Sequence, residues 1–185
     1  MKKLSFLFLA ITFLTFSFSA CNNKQKKETA TEDTEEKTST PDSTVYGVCG
    51  ENTAMHTLEL ITDAGDTLNY VYGDDDDNPV VGGLLAGDRL AVVPGPEIDG
   101  DKTAKKIINL TTLTGKWTSL DKNFEIEEGG VVESHVDAEK DPWTSWKILN
   151  GKLVLNRDTF EIDNLGSDSL YLENKDGIFV YKRAK

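Results

Sequence analysis

From residue 45 onward the chain alternates apolar and polar residues in short runs, the period of a half-buried strand. Leu58 and Leu60 share one face of a run over 56–62. Asp63-Ala64-Gly65-Asp66 then turns, and Leu68, Tyr70 and Tyr72 resume the alternation. Leu90 and Val92 mark a strand over 88–93, closed by Pro94-Gly95-Pro96, and Ile108 and Leu110 mark another over 105–113. With the apolar run 45–49, five strands are expected here. The interval between Tyr72 and Asp88 predicts a loop with one helical turn over 80–85. Past Thr114 the runs crowd together: strands are expected over 116–119, 123–127, 131–135, 144–149, 152–156, 159–163, 169–173 and 178–183. Gly129-Gly130, Asn150-Gly151, Gly166-Ser167 and Asp176-Gly177 separate most of them.

Asn150-Gly151 is the most specific of these turns, because both residues tolerate the positive φ of a type I′ hairpin. A two-residue loop opposes Leu149 to Lys152, Ile148 to Leu153 and Trp146 to Leu155. Opposed residues share a face, so Trp146, Ile148, Leu153 and Leu155 form an apolar side, and Lys147 meets Val154 on the other. The expected fold class is all-β, with two small antiparallel barrels. A meander of short strands avoids exposed edges by closing on itself.

Both halves resemble known β architectures. Five strands interrupted between the third and fourth, with Leu85-Ala86-Gly87-Asp88-Arg89-Leu90 launching the fourth, resemble an OB-type barrel over 45–113. Leu113-Thr114-Gly115-Lys116-Trp117 is similar to the Gly-x-Trp signature on the first strand of lipocalin-like barrels, and Arg183 stands where that family carries a basic residue late in the last strand. The resemblance implies that Trp117 plugs one barrel end and that Arg183 packs across it. It covers 114–185, about half the length of a true lipocalin. Eight strands of about five residues are expected to enclose little beyond their own side chains.

The start of the chain has a different texture. Lys2 and Lys3 precede an uncharged, Phe- and Leu-rich run from Leu4 to Ala20, followed by Cys21. Phe18-Ser19-Ala20-Cys21 resembles a bacterial lipobox, with Phe18 where Leu is usual. That resemblance implies a signal peptide over 1–20, cleavage between Ala20 and Cys21, and diacylglycerol plus an acyl chain such as palmitate on Cys21. Two or three acyl chains on one Cys anchor stably without a transmembrane helix. The expected location is the cell envelope, at the outer membrane, with the leaflet open. A transmembrane anchor and an ordinary secretory signal are the alternatives. Residues 21–44 lack aromatic and branched aliphatic side chains, the composition of a flexible linker. As a coil this stalk spans roughly 25 Å.

Composition narrows the function classes. Removing the leader, which holds two Lys and no acid, takes the formal net charge from −12 to −14. Such a surface repels nucleic acid phosphates and anionic headgroups. Once Cys21 carries lipid, Cys49 has no partner in the chain, so no disulfide framework is expected. Neither His56 nor His135 has a partner at metal-ligand spacing. Asp74-Asp75-Asp76-Asp77 is the one dense acidic run, but Pro79 and Leu85 occupy the positions where a calcium loop needs Gly and Glu. It reads better as a solvated loop, and no metal or cofactor is expected. No nucleophile elbow, phosphate loop or zinc motif is present, and acid pairs such as Glu125 with Glu127 are common in a chain this acidic. Trp143 and Trp146, three apart on one strand, would face opposite sides. Trp146 then joins the core and Trp143 sits exposed or at a barrel mouth, where it can contact a ligand, or packs under the preceding loop. The expectation is a membrane-anchored, non-enzymatic binding lipoprotein for a small apolar or sugar-like ligand. A structural or assembly component of the envelope working through a protein partner is the alternative, with a hydrolase using paired acids a third.

Overall fold

The computed structural model describes residues 41–73, 78–136 and 139–184. They are all-β except for one short helix, and Thr40–Lys185 is one compact unit. The strands form two sheets. The first contains β1 (Val45–Cys49), β2 (Thr57–Thr62), β3 (Thr67–Val71), β4 (Val80–Val81), β5 (Arg89–Pro94) and β6 (Ala104–Asn109), in the order β3-β2-β1-β5-β6-β4. A parallel bridge between Val71 and Thr103 brings the end of β3 back beside the start of β6.

This sheet is mixed rather than wholly antiparallel. Residues 80–81 form no helical turn; they pair parallel with Ile107 and Ile108 of β6. Asn78 Oδ1 accepts the Val80 N–H at 2.9 Å, the Pro79 carbonyl accepts from Ile107, and Gly82 and Gly83 at positive φ end the pairing. Backbone satisfied by a neighbouring strand edge displaces a turn whose helical period was weak. The last strand also ends earlier than its alternation suggests. Buried Asn109 accepts the Thr112 N–H at 2.9 Å and caps the helix α1 (Leu110–Leu113), while its amide donates to Gly83 O and Asp88 Oδ2. α1 turns the chain into the second sheet.

The second sheet is a meander of β7 (Gly115–Thr118), β8 (Asn123–Ile126), β9 (Val132–Ser134), β10 (Trp146–Leu149), β11 (Lys152–Leu155), β12 (Asp158–Leu165), β13 (Ser169–Asn174) and β14 (Gly177–Arg183). Each strand pairs antiparallel with the next except β9 with β10, which are the two ends of the order, and β14 pairs back onto β7. A Val131–Ser145 bridge, the Val132 N–H on Thr144 O and the Trp146 N–H on Gly130 O join those ends, so the barrel is nearly closed. The β10–β11 hairpin has the register read from its turn, with φ of +48° at Asn150 and +83° at Gly151.

The two sheets share apolar packing. Leu90, Val92 and Ile107 join Leu58, Leu60 and Tyr70 inside the first sheet. Ala91 and Ile108, on the opposite faces of β5 and β6, join α1 and the barrel core. Burial on both faces explains why the residues inside β5, Leu90 to Val93, are continuously apolar. The β10–β11 turn abuts the first sheet: a Cβ on Gly151 would lie 3.3 Å from Val93 Cγ2.

Candidate ligand-binding site

The barrel has a sealed end and an open end. At the sealed end Trp117 is wholly buried and its indole N–H donates to Leu113 O at 2.8 Å. Arg183 is the cross-strand partner of Trp117, and its guanidinium lies 4.0 Å from the ring centroid. The guanidinium donates to Ser167 O at 2.8 Å, to Thr114 O at 2.7 Å and to Thr112 O. Burial holds this guanidinium below its ordinary pKa. Gly115 permits the arrangement: its φ is +119°, and a Cβ there would stand 2.5 Å from Arg183 Nη1.

The open end arises from a mismatch in strand length. β14 runs for seven residues and β7 for four, and the two pair only at Lys182–Thr118 and Arg183–Trp117. The first part of β14 therefore stands beyond the end of β7, where the chain turns through Ser119 to Lys122. A cavity of about 900 Å³ opens there, lined by Lys122, Trp143, Phe160, Phe179 and Tyr181 among others. The rings pack edge to face, Trp143 on Phe160 with centroids 5.8 Å apart and Phe160 on Phe179 at 5.9 Å. Phe124 closes the floor, 5.1 Å from both Trp143 and Tyr181.

The two polar groups on these rings are unpartnered. Tyr181 is 2% exposed and Trp143 8%, yet neither the Tyr181 hydroxyl nor the Trp143 indole N–H has a hydrogen-bond partner among the described residues. Burial raises the Tyr181 phenol to about 12. Lys122 places its ammonium 4.4 Å from the Trp143 centroid and pairs with Glu139, which also accepts from Ser134 Oγ at 2.5 Å. Desolvation lowers the Lys122 pKa, against the opposing pull of Asp158 and Asp141.

Trp143 therefore lies inside the barrel end, and Trp146 is the more exposed of the two. Residues 141–145 precede β10 and are not strand, so the two-residue alternation does not carry back from Trp146 to Trp143. Trp146 packs on the edge of the core and donates to Glu127 O at 2.7 Å.

Two other sites were found. A cavity of about 370 Å³ between the sheets is lined by Tyr46, Arg89, Leu110, Glu128, Trp146 and Ile148 in part. Two of its polar groups are already engaged: Tyr46 donates to Ile148 O at 3.0 Å, and Arg89 holds Asp63 through both carboxylate oxygens. On the barrel's outer surface Glu125, Glu133 and His135 bring ligand atoms within 4.8 Å of one another. Sequence reading missed this grouping, because Glu125 and Glu133 meet only through β8–β9 register. Lys116 competes for Glu125 at 3.5 Å. Cys49 is buried and unpaired by any disulfide. Ala20, Cys21 and Asp74 to Asp77 lie outside the described residues. No helix among the described residues is long and apolar enough to cross a membrane. No family model, curated protein or solved structure matches this chain.

Proposed function

We propose that this chain is a membrane-anchored, non-enzymatic binding lipoprotein of the bacterial envelope, at the outer membrane, whose lipocalin-like barrel takes a small ligand with an apolar body at its open end. The observation that carries this reading is the mouth cavity, in which the rings of Trp143 and Tyr181 are buried while their indole N–H and phenol oxygen stay within reach of solvent and have no hydrogen-bond partner among the described residues. A ligand with an apolar face for Trp143, Phe160 and Phe179 and one polar atom for Tyr181 would match that lining. Such a site, mostly aromatic with few convergent polar groups, is the usual character of small-molecule cavities. The OB-like reading of the first sheet draws on its strand order and the Val71–Thr103 return.

The anchor rests on Ser19-Ala20-Cys21 after the uncharged run. Cys21→Ser is expected to abolish incorporation of labelled palmitate and to leave an uncleaved precursor; equal label in the variant would remove the lipoprotein reading. The binding half is tested by Trp143→Ala, which should abolish saturable uptake of an apolar fluorescent probe while leaving the fold intact by circular dichroism. A second reading, an assembly component docking a protein, draws on the exposed Leu120, Ile178 and Val180 at the same rim.

A further inference from the structure

We propose that the mouth cavity selects organic cations, an ammonium carried on an apolar or aromatic body, over neutral and anionic ligands of the same shape. This rests on the binding reading above and adds the charge of the ligand. Three observations carry it. The first is that the mouth already seats an ammonium: Lys122 Nζ lies over the Trp143 ring at 4.4 Å. An aromatic face attracts cations, the more strongly when they are desolvated. The second is the rim, where Asp121, Asp141, Asp158 and Asp176 face only Lys122 and Lys182. Lys122 is further neutralised by Glu139, which lies outside the lining. The third is that the polar atom Tyr181 offers to the cavity is a neutral phenol oxygen, able to accept from an ammonium.

An anionic ligand meets the opposite balance. Its carboxylate would enter among four aspartates, and Lys122 is already shared with Glu139. The resident ammonium is held by one carboxylate, that of Glu139. Burial works against its charged form, and Asp158 and Asp141 offset that only in part. A free ammonium that brings its own apolar body gains the Phe160 and Phe179 faces, which the lysine stem at the rim does not fill. Lys122 therefore acts as an internal competitor that swings out toward solvent when the cationic ligand enters.

Titration calorimetry on the full chain in a neutral detergent, with phenylbutylammonium, phenylbutanol and phenylbutanoate, tests this. The cation is expected to bind about tenfold more tightly than the alcohol, with the carboxylate weakest. Lys122→Met removes the competitor and should tighten the cation by about threefold, leaving the alcohol unchanged. Asp141→Asn with Asp158→Asn, both at exposed positions, should bring the cation down toward the alcohol. Alcohol or carboxylate binding as tightly as the cation would overturn the charge preference and leave the cavity reading standing. So would Lys122→Met weakening the cation. No saturable binding of any of the three would overturn the cavity reading itself.

Discussion

The two ends of the barrel are built from the same pair of parts, a tryptophan ring with a basic side chain over it, and they do opposite things. Arg183 sits 4.0 Å from the Trp117 centroid and Lys122 sits 4.4 Å from that of Trp143. The difference lies in what holds the cation. The fork of Arg183 spends its donors on three backbone carbonyls from two separate segments, so it ties the β13–β14 side to the α1–β7 corner. Lys122 is a single point charge held by one carboxylate, and the N–H of the ring beneath it has no partner among the described residues. Backbone carbonyls cannot move without unfolding, whereas a lysine can change rotamer in nanoseconds or less. One end is thus a plug and the other a door, and the choice of Arg or Lys accounts for much of the contrast.

Removing the rings should separate the two ends most sharply. Trp117→Ala deletes a ring packed on every side and is expected to cost about 3–5 kcal/mol. Trp143→Ala borders open space and should cost less, about 2 kcal/mol, because fewer atoms lose contacts. Urea denaturation reads both; equal losses would mean that the mouth is packed as a core. Next comes Gly115→Ala, which forces a Cβ into the path of Arg183 at a positive φ and should cost about 1–3 kcal/mol. The same change at Gly129, where φ is +81° but a Cβ would meet open space, isolates the backbone share.

Double-mutant cycles refine the contrast. Trp117 and Arg183 should couple by about 0.5–2 kcal/mol, so that the two truncations together cost less than their sum. Trp143 and Lys122 should couple by less than about 1 kcal/mol, and added salt should weaken that further, since the lysine is partly exposed. Strict additivity at the first pair would break the plug interpretation. The smallest effect concerns hydroxyls. Tyr181→Phe should change stability by less than about 0.5 kcal/mol, its oxygen having no partner among the described residues, whereas Tyr46→Phe loses a bond to Ile148 O worth about 1 kcal/mol. The Tyr181 phenol should ionise near pH 12 in an ultraviolet titration. Because folding raises this pKa, its contribution to stability is fully present below pH 10 and is lost as pH rises through about 12.

How much of this was legible in the sequence depended on whether the information was local. The hairpin at Asn150-Gly151 was legible to the residue, because two positive φ values fix a register. Each of the eight strands after Thr114 lies where alternation between turn residues placed it, within a few residues at the ends. The stack of Arg183 on Trp117 could be anticipated from a Gly-x-Trp start and a basic final strand, and the reason for the glycine emerged only from the space the guanidinium occupies. The mouth could not be anticipated. It depends on how far β14 overhangs β7, which is a matter of register across sixty residues. The expectation that so short a barrel encloses little treated the strands as equal in length, and the cavity lies in the overhang. Trp143 lies at the mouth, one of the places expected for it, but strand alternation does not put it there, because residues 141–144 are not strand. β4 was missed because two residues carry no period at all.

The chain enters the compact unit through a small knot of hydrogen bonds. Asn150 receives both the Ser43 N–H, at 2.9 Å, and the Ser43 hydroxyl, at 3.0 Å, on its side-chain oxygen. Its own N–H donates to Asp42 and Thr44, and its amide to Pro41 O. Viewed mechanically, this is a strain relief. A pull applied along the chain ahead of Pro41 would load the Asn150 turn, a hundred residues away in sequence, before it reached β1. β1 is a central strand, flanked by β2 and β5, and peeling it would open the first sheet. The fastening takes tension on a few replaceable surface bonds and spares the strand on which the first sheet is assembled.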